Sequence, residues 1–256
     1  MLQATSQLLV MSPHTEPCNF MVDESFLPKG FVSFEHVFNE AKKGKGALIL
    51  ASGGLDSAYV LWQYSHLNVP MFVHHVRLMP SLRKRHAIEE YLLKKQLEYI
   101  NKPHELFIST VDVDKRLGCA PMRDFFIPVL MSVTLAVRNN LSYIVVGEDL
   151  MFAILRNMGR PKQSAPWEDE QVKALAEMVR TLSMGKVKLS WHTDNRNFFE
   201  SYMSMPEEYL KLCFSCRSPD FTGTHVEACG NCMACHRNMM LEIKDNLCKR
   251  LEWKQQ

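Results

Sequence analysis

Several features are scarce in this 256-residue chain, and each absence removes a class of protein. No apolar run reaches the ~18 residues that a membrane-spanning helix requires, so no membrane partner is expected. Neither sign of charge dominates. Lys and Arg number 30 against 28 Asp and Glu, a formal net charge of +2, so no basic excess calls for nucleic acid. Glycine occurs only 11 times, with no period and no low-complexity tract, which excludes collagen. The hydrophobic fraction is 46%, enough for a packed core, which excludes a disordered chain. The opening segment MLQATSQLLVMSPHTE has neither a basic leader nor a long apolar run, so a secretory signal is not expected. Without one, the eight cysteines do not read as a disulfide framework, and a reducing cytoplasmic setting is the expectation.

Hydrophobic periodicity supplies the architecture. Residues 1–30 are polar and turn-rich and read as an arm, a possible contact for a protein partner. Helical spacing covers 33–43, with Lys42 and Lys43 in the last turn and Gly44 after it. The short run Ala47-Leu48-Ile49-Leu50 reads as a buried strand. Further strands are expected at 69–76, 106–111, 143–146 and 187–191, with helices at 57–66, 87–99, 125–139 and 170–182 between them. Strands alternating with helices predict an α/β fold: a doubly wound, mainly parallel sheet of five strands covered on both faces. The organisation expected is an arm and helix over 1–44, an α/β domain over 45–200 and a C-terminal segment over 201–256. Ligands on such sheets sit at the carboxyl ends of the strands, where strand order reverses.

The sharpest motif is Ser52-Gly53-Gly54-Leu55-Asp56-Ser57, directly after the first buried strand and before a helix. Two glycines let the backbone turn tightly and bring N–H groups to an anion. Ser52 and Ser57 add hydroxyls, and the helix start adds free N–H groups and a positive dipole end. Asp56 would repel phosphate, so it is expected as an N-cap or as a ligand of magnesium on the phosphates. No Gly-Lys-Ser/Thr follows, so the loop is not of the Walker type. The bland alternative is a tight strand-to-helix turn with no ligand.

Five thiols cluster near the other end: Cys213, Cys216, Cys229, Cys232 and Cys235. Four of them suit a closed tetrahedral structural zinc site, and Cys213 and Cys216 compete for one place. An iron–sulfur cluster or reduced thiols are the alternatives. Cys119 reads as a small hydrophobe.

The loop resembles that of the PP-loop ATP pyrophosphatases, which hold the leaving pyrophosphate of ATP and transfer AMP to a substrate oxygen. With the cysteine knuckle, the chain looks most like the 7-cyano-7-deazaguanine synthases of queuosine biosynthesis. Arg85-His86-Ala87-Ile88-Glu89 and Pro121-Met122-Arg123-Asp124 match segments of that family in part. The resemblance covers about residues 45–240. It implies ATP, magnesium and zinc as cofactors, and a 7-deazaguanine acid with ammonia or another amine as substrates. It implies pyrophosphate contacts from Ser52, Gly53, Gly54, Leu55, Asp56 and Ser57, adenosine contacts near His75 and Gly147, and charge neutralisation by Arg85 and Arg123. It also selects Cys216, in its Ser-Cys pair, with Cys229, Cys232 and Cys235 as the metal ligands. The family's aromatic-Gly-Gln before Arg-His is replaced here by Leu78-Met79-Pro80-Ser81-Leu82, and its Asp-x-x-x-Tyr-Pro-Asp segment is absent. The nucleotide-handling parts are thus retained and the base-recognition parts altered. Three readings follow: a nitrile-forming synthase, a ligase joining the activated acid to another amine on a protein or nucleic acid, and a non-catalytic zinc-binding interaction protein. A homodimer is compatible with each.

Overall fold

The computed structural model describes residues 27, 29–79, 83–112, 126–147, 170–192, 204–216, 218–222, 225–232, 234–235 and 251–252. Six parallel strands form the main sheet: β1 (Phe31–Val32), β2 (Ala47–Leu50), β3 (Met71–Met79), β4 (His104–Asp112), β5 (Tyr143–Gly147) and β6 (Lys188–His192). Their order is β1-β6-β5-β2-β3-β4. The mainly parallel α/β sheet expected from the sequence is present, with six strands in place of five. The extra strand, β1, is two residues long and pairs with β6 through Phe31 and Val32. So short a strand carries no period of its own, and only its distant partner defines it.

The helices are α1 (Phe34–Lys42), α2 (Leu55–Ser65), α3 (Arg83–Ile100), α4 (Phe126–Arg138), α5 (Glu170–Leu182) and α6 (Glu207–Leu210). Alternation along β2 divides the core in two. Leu48 and Leu50 face one side with Ile144, Val146 and Leu189, under Val129 and Val133 of α4 and Leu175 and Val179 of α5. Ala47 and Ile49 face the other side with Val73 and Val145, under Val37 of α1, Val60 and Tyr64 of α2 and Leu93 of α3. Both faces are apolar because parallel crossovers place helices on both. Among the described residues no helix is long and apolar enough to cross a membrane.

Helix α2 is buried on more than its sheet-facing side: seven of its eleven residues are buried. Its outer face packs Leu55, Ala58 and Tyr59 against Met205, Tyr209, Leu210 and Cys213 of the C-terminal segment. The Tyr209 hydroxyl donates to the Ala58 carbonyl at 3.0 Å. A small antiparallel sheet of β7 (Asp220–Thr222), β8 (His225–Glu227) and β9 (Leu251–Glu252) follows that segment. Val226 of β8, with Phe214 and Cys235, packs on Ile88 and Leu92 of α3. The C-terminal segment therefore leans on both helices that flank the loop after β2.

Candidate functional site

From β2 the chain winds outward to β3 and β4, returns to β5 on the opposite side of β2, and winds outward again to β6. The reversal lies between β2 and β5. The carboxyl ends of those two strands open the crevice where ligands bind on such sheets. The Ser52–Ser57 loop leaves β2 there, and Gly147 ends β5 beside it.

Ser52 is exposed, Gly54 half-buried and Ser57 buried. The Ser57 hydroxyl donates to the Gly54 carbonyl at 3.1 Å and accepts from Ser52 N–H at 3.1 Å. It braces the loop from within instead of presenting a donor outward. Ser52 Oγ lies 3.4 Å from Gly54 N–H. Gly54 is the N-cap of α2, with extended backbone (φ −81°, ψ 168°) and no side-chain cap. Asp56 is therefore not the N-cap. It sits in the first turn, where a carboxylate is favoured by the helix dipole.

The two glycines do different work. Gly53 has φ +74°, and a Cβ there would lie 2.4 Å from the Glu89 carbonyl oxygen of α3. Its lack of a side chain serves close backbone packing. A Cβ on Gly54 would instead lie 3.3 Å from both Ser52 Oγ and Ser215 Oγ. At Gly54 too the neighbours stand close, here two side-chain hydroxyls, with the Phe214 carbonyl oxygen at 3.7 Å. Gly147 is also a packing glycine: a Cβ there would meet the Asp56 carbonyl at 2.8 Å.

The C-terminal segment completes the loop. Leu55 N–H donates to Ser215 Oγ at 3.1 Å, across 160 residues of sequence. Gly53 O accepts from Phe214 N–H at 3.2 Å and from Gln96 Nε2 at 3.0 Å. Gln96 Nε2 also lies 3.0 Å from the Leu212 carbonyl. Gln96 carries no sequence signal, and Ser215 is marked in the sequence only as half of the Ser-Cys pair, with no role at the loop. Nothing local predicts these contacts, because the partners are main-chain atoms far along the chain.

Ser215 adjoins the cysteine cluster. Cys216, Cys229, Cys232 and Cys235 bring one sulfur each to within 4.8 Å of all the others. The Sγ separations are 3.6 Å for Cys216–Cys229, 4.0 Å for Cys216–Cys232 and 3.5 Å for Cys232–Cys235. Tetrahedral zinc with bonds of about 2.3 Å sets its sulfurs about 3.8 Å apart. The thiols thus have the spacing of ligands on one ion. Cubane thiolates each bind a different iron and stand farther apart. Cys213 is elsewhere, buried among the residues that clamp α2, with its thiol 3.7 Å from the Tyr209 carbonyl. Burial, reinforced by the Asp56 charge, pushes that thiol far above its ordinary range, so it stays protonated. The structure separates the two cysteines that the spacing left in competition.

Among the remaining sequence candidates, Arg85 is half-buried and donates from Nε to Glu89 Oε1 at 2.7 Å. His75 is 1% exposed and its Nδ1 lies 3.0 Å from the Ala51 carbonyl. Arg123, like Cys119, lies outside the described residues. His74 is a core residue. Ser132 Oγ donates to the Pro128 carbonyl and so accepts from His74 Nδ1 at 2.7 Å, while Ser109 Oγ lies 2.8 Å from Nε2. Burial, with a smaller contribution from neighbouring His75, pushes the His74 ring down to about 4.

No protein-family model matches the chain, and no curated protein matches it. Among solved structures it is similar to the U34-tRNA thiolase NcsA from Methanococcus maripaludis with its [4Fe-4S] cluster. The identity is 14%, over 83% of this chain and 74% of that one, with a TM-score of 0.43.

Proposed function

We propose that this chain is an ATP-dependent enzyme of the PP-loop type, stabilised by a zinc ion on Cys216, Cys229, Cys232 and Cys235. The observation that carries the reading is the Ser52–Ser57 loop. It lies at the start of a buried helix and at the strand-order reversal of a parallel sheet, with Ser52 Oγ and Ser215 Oγ close to Gly54. Such a loop suits a diphosphate: it combines glycine backbone, hydroxyls and a helix N-terminus. Asp56, in the first helical turn, is the candidate for holding magnesium on that diphosphate. Arg85 and Arg123 are the candidate cations for charge developing as the diphosphate departs.

ATP supplies the AMP group that activates a substrate oxygen. The protein's task is to hold the diphosphate in line and to stabilise its charge. The specific substrate proposed is a 7-deazaguanine carboxylic acid, with ammonia as the amine and a nitrile as final product. The support is the Ser-Gly-Gly-x-Asp-Ser loop and the four-cysteine knuckle occurring in one chain. The second reading keeps the activation and changes the acceptor to another amine. It is favoured by the replacement of the family's recognition segments before Arg83 and after Gly147.

The test is incubation with ATP, magnesium, the deazaguanine acid and ammonia, following pyrophosphate and the organic product by mass spectrometry. Pyrophosphate with amide or nitrile, lost in Asp56→Ala, supports the first reading. Pyrophosphate with a stalled acyl-adenylate turns the search to other amines. Pyrophosphate at buffer level with every acid tried, from a chain that stays folded, refutes the enzymatic reading and leaves the zinc-binding interaction protein.

A further inference from the structure

A second group of possible metal ligands lies at the edge of the same loop. The end of β3 and the first turns of α3 bring His75, His86 and Glu89 together, with one ligand atom from each within 4.8 Å of the others. All are largely or wholly enclosed: His75 is 1% exposed, and the side chains of His86 and Glu89 are 12% and 9% exposed.

The hydrogen bonds fix which nitrogen each ring offers. His75 Nδ1 lies 3.0 Å from the Ala51 carbonyl, and His86 Nε2 lies 2.7 Å from the Leu78 carbonyl. A carbonyl only accepts, so both of these nitrogens carry hydrogen. The opposite nitrogens, His75 Nε2 and His86 Nδ1, are then the ones left to serve as ligands. His75 Nε2 is buried without a hydrogen-bond partner. An orphaned lone pair inside a protein costs free energy unless something occupies it. His86 Nδ1 lies 3.1 Å from Glu89 Oε2. The other carboxylate oxygen, Oε1, is held by Arg85 Nε at 2.7 Å, which orients the group.

Metal-binding imidazoles are typically held in this way, with one nitrogen on a main-chain carbonyl or carboxylate and the other on the ion. We propose that His75 Nε2, His86 Nδ1 and Glu89 Oε2 form a second metal site, separate from the cysteine knuckle. Two imidazoles and one carboxylate, without sulfur, select a divalent transition ion such as zinc, cobalt or iron(II) over magnesium or calcium. The ion takes the place of the proton between His86 and Glu89, which leaves to solvent. It fills the vacant position on His75 at the same time. Its place in the fold gives it a task. Ala51, which holds His75, directly precedes the loop, and the Glu89 main chain is the surface that Gly53 packs against. An ion there ties β3 and α3 to the base of the loop.

The test counts ions and needs neither ATP nor turnover. The full chain is stripped with a chelator, reloaded with zinc alone, freed of excess by gel filtration and analysed for metal. Two zinc ions per chain are expected, falling to one in His75→Ala and to one in His86→Ala. His86 is the more exposed of the two, so its variant keeps the test usable if His75→Ala does not fold. Cys232→Ala marks the other site and retains the histidine-bound ion. Zinc is also expected to raise the Tm of the Cys232→Ala chain and not that of the Cys232→Ala/His86→Ala chain. One zinc per chain in the natural sequence, or two retained in a folded His86→Ala chain, overturns the proposal.

Discussion

Replacing Gly53 with alanine, with Gly44→Ala as its control, separates two costs that usually occur together. Both positions have left-handed backbone, φ +74° at Gly53 and +88° at Gly44. An L-residue there costs about 1–2 kcal/mol. Alanine also restricts the unfolded chain, which offsets about 0.4–1 kcal/mol. Around Gly44 nothing lies within 4 Å of an added Cβ, so the net loss there is about 1 kcal/mol. At Gly53 the Cβ falls 2.4 Å from the Glu89 carbonyl oxygen and 3.2 Å from its carbon. Those are main-chain atoms within α3, so relief requires the helix and loop to part. Overpacking of this kind adds about 1–3 kcal/mol, for a total of about 2–4 kcal/mol. In a chain of this size 1 kcal/mol moves Tm by about 2–4 °C. Calorimetry should therefore show a drop of about 3 °C for Gly44→Ala and roughly 10 °C for Gly53→Ala. ATP affinity should fall with the second variant alone, because only it shifts the cradle. Equal drops in Tm would refute the argument, since they would mean that the approach of α3 to the loop costs nothing to disturb.

Ser215→Ala removes the acceptor for Leu55 N–H at the start of α2 and should cost about 1 kcal/mol, the usual value of a lost helix cap, read from the urea midpoint at unchanged slope. Cys213→Ala should leave the metal content intact, whereas Cys232→Ser should release the knuckle ion, as elemental analysis of the purified chains will show. His74 should remain neutral at pH 5.5 in a side-chain NMR titration. Its ring is pushed down to about 4 in the folded chain while the unfolded ring takes up a proton near 6.5. The contribution of His74 to stability is therefore complete above about pH 6.5 and is lost as pH falls toward 4. Ser132→Ala strips the acceptor from His74 Nδ1 and should destabilise by about 1–3 kcal/mol, measured by chemical unfolding.

The strands at 47–50 and 143–146 and the helix at 170–182 were legible because each buries a continuous run or a regular stripe. The loop was legible because two glycines and two serines stand between such a strand and such a helix. Other features were hidden. β1 exists only through pairing with β6, and α3 begins earlier than its apolar period suggests. Spacing gave the number of thiols but not their partition. The packing of Tyr209 against α2 draws Cys213 inward and leaves Cys216 facing the knuckle.

The sequence alone determined a two-sided parallel α/β sheet, a glycine-rich turn after its first buried strand and a set of thiols able to share one ion. These follow from periodicity, backbone freedom and short spacers, all local properties of a chain. Tertiary structure alone decided that Gly53 packs against the α3 main chain and Gly54 against two hydroxyls. It also decided that Ser215 meets the loop across 160 residues and that His75, His86 and Glu89 share one enclosure. The physical reason is that hydrogen bonds and steric contacts depend on distance in space. Only the folded sheet, by placing β2 beside β3 and the C-terminal segment over α2, turns distant positions into neighbours.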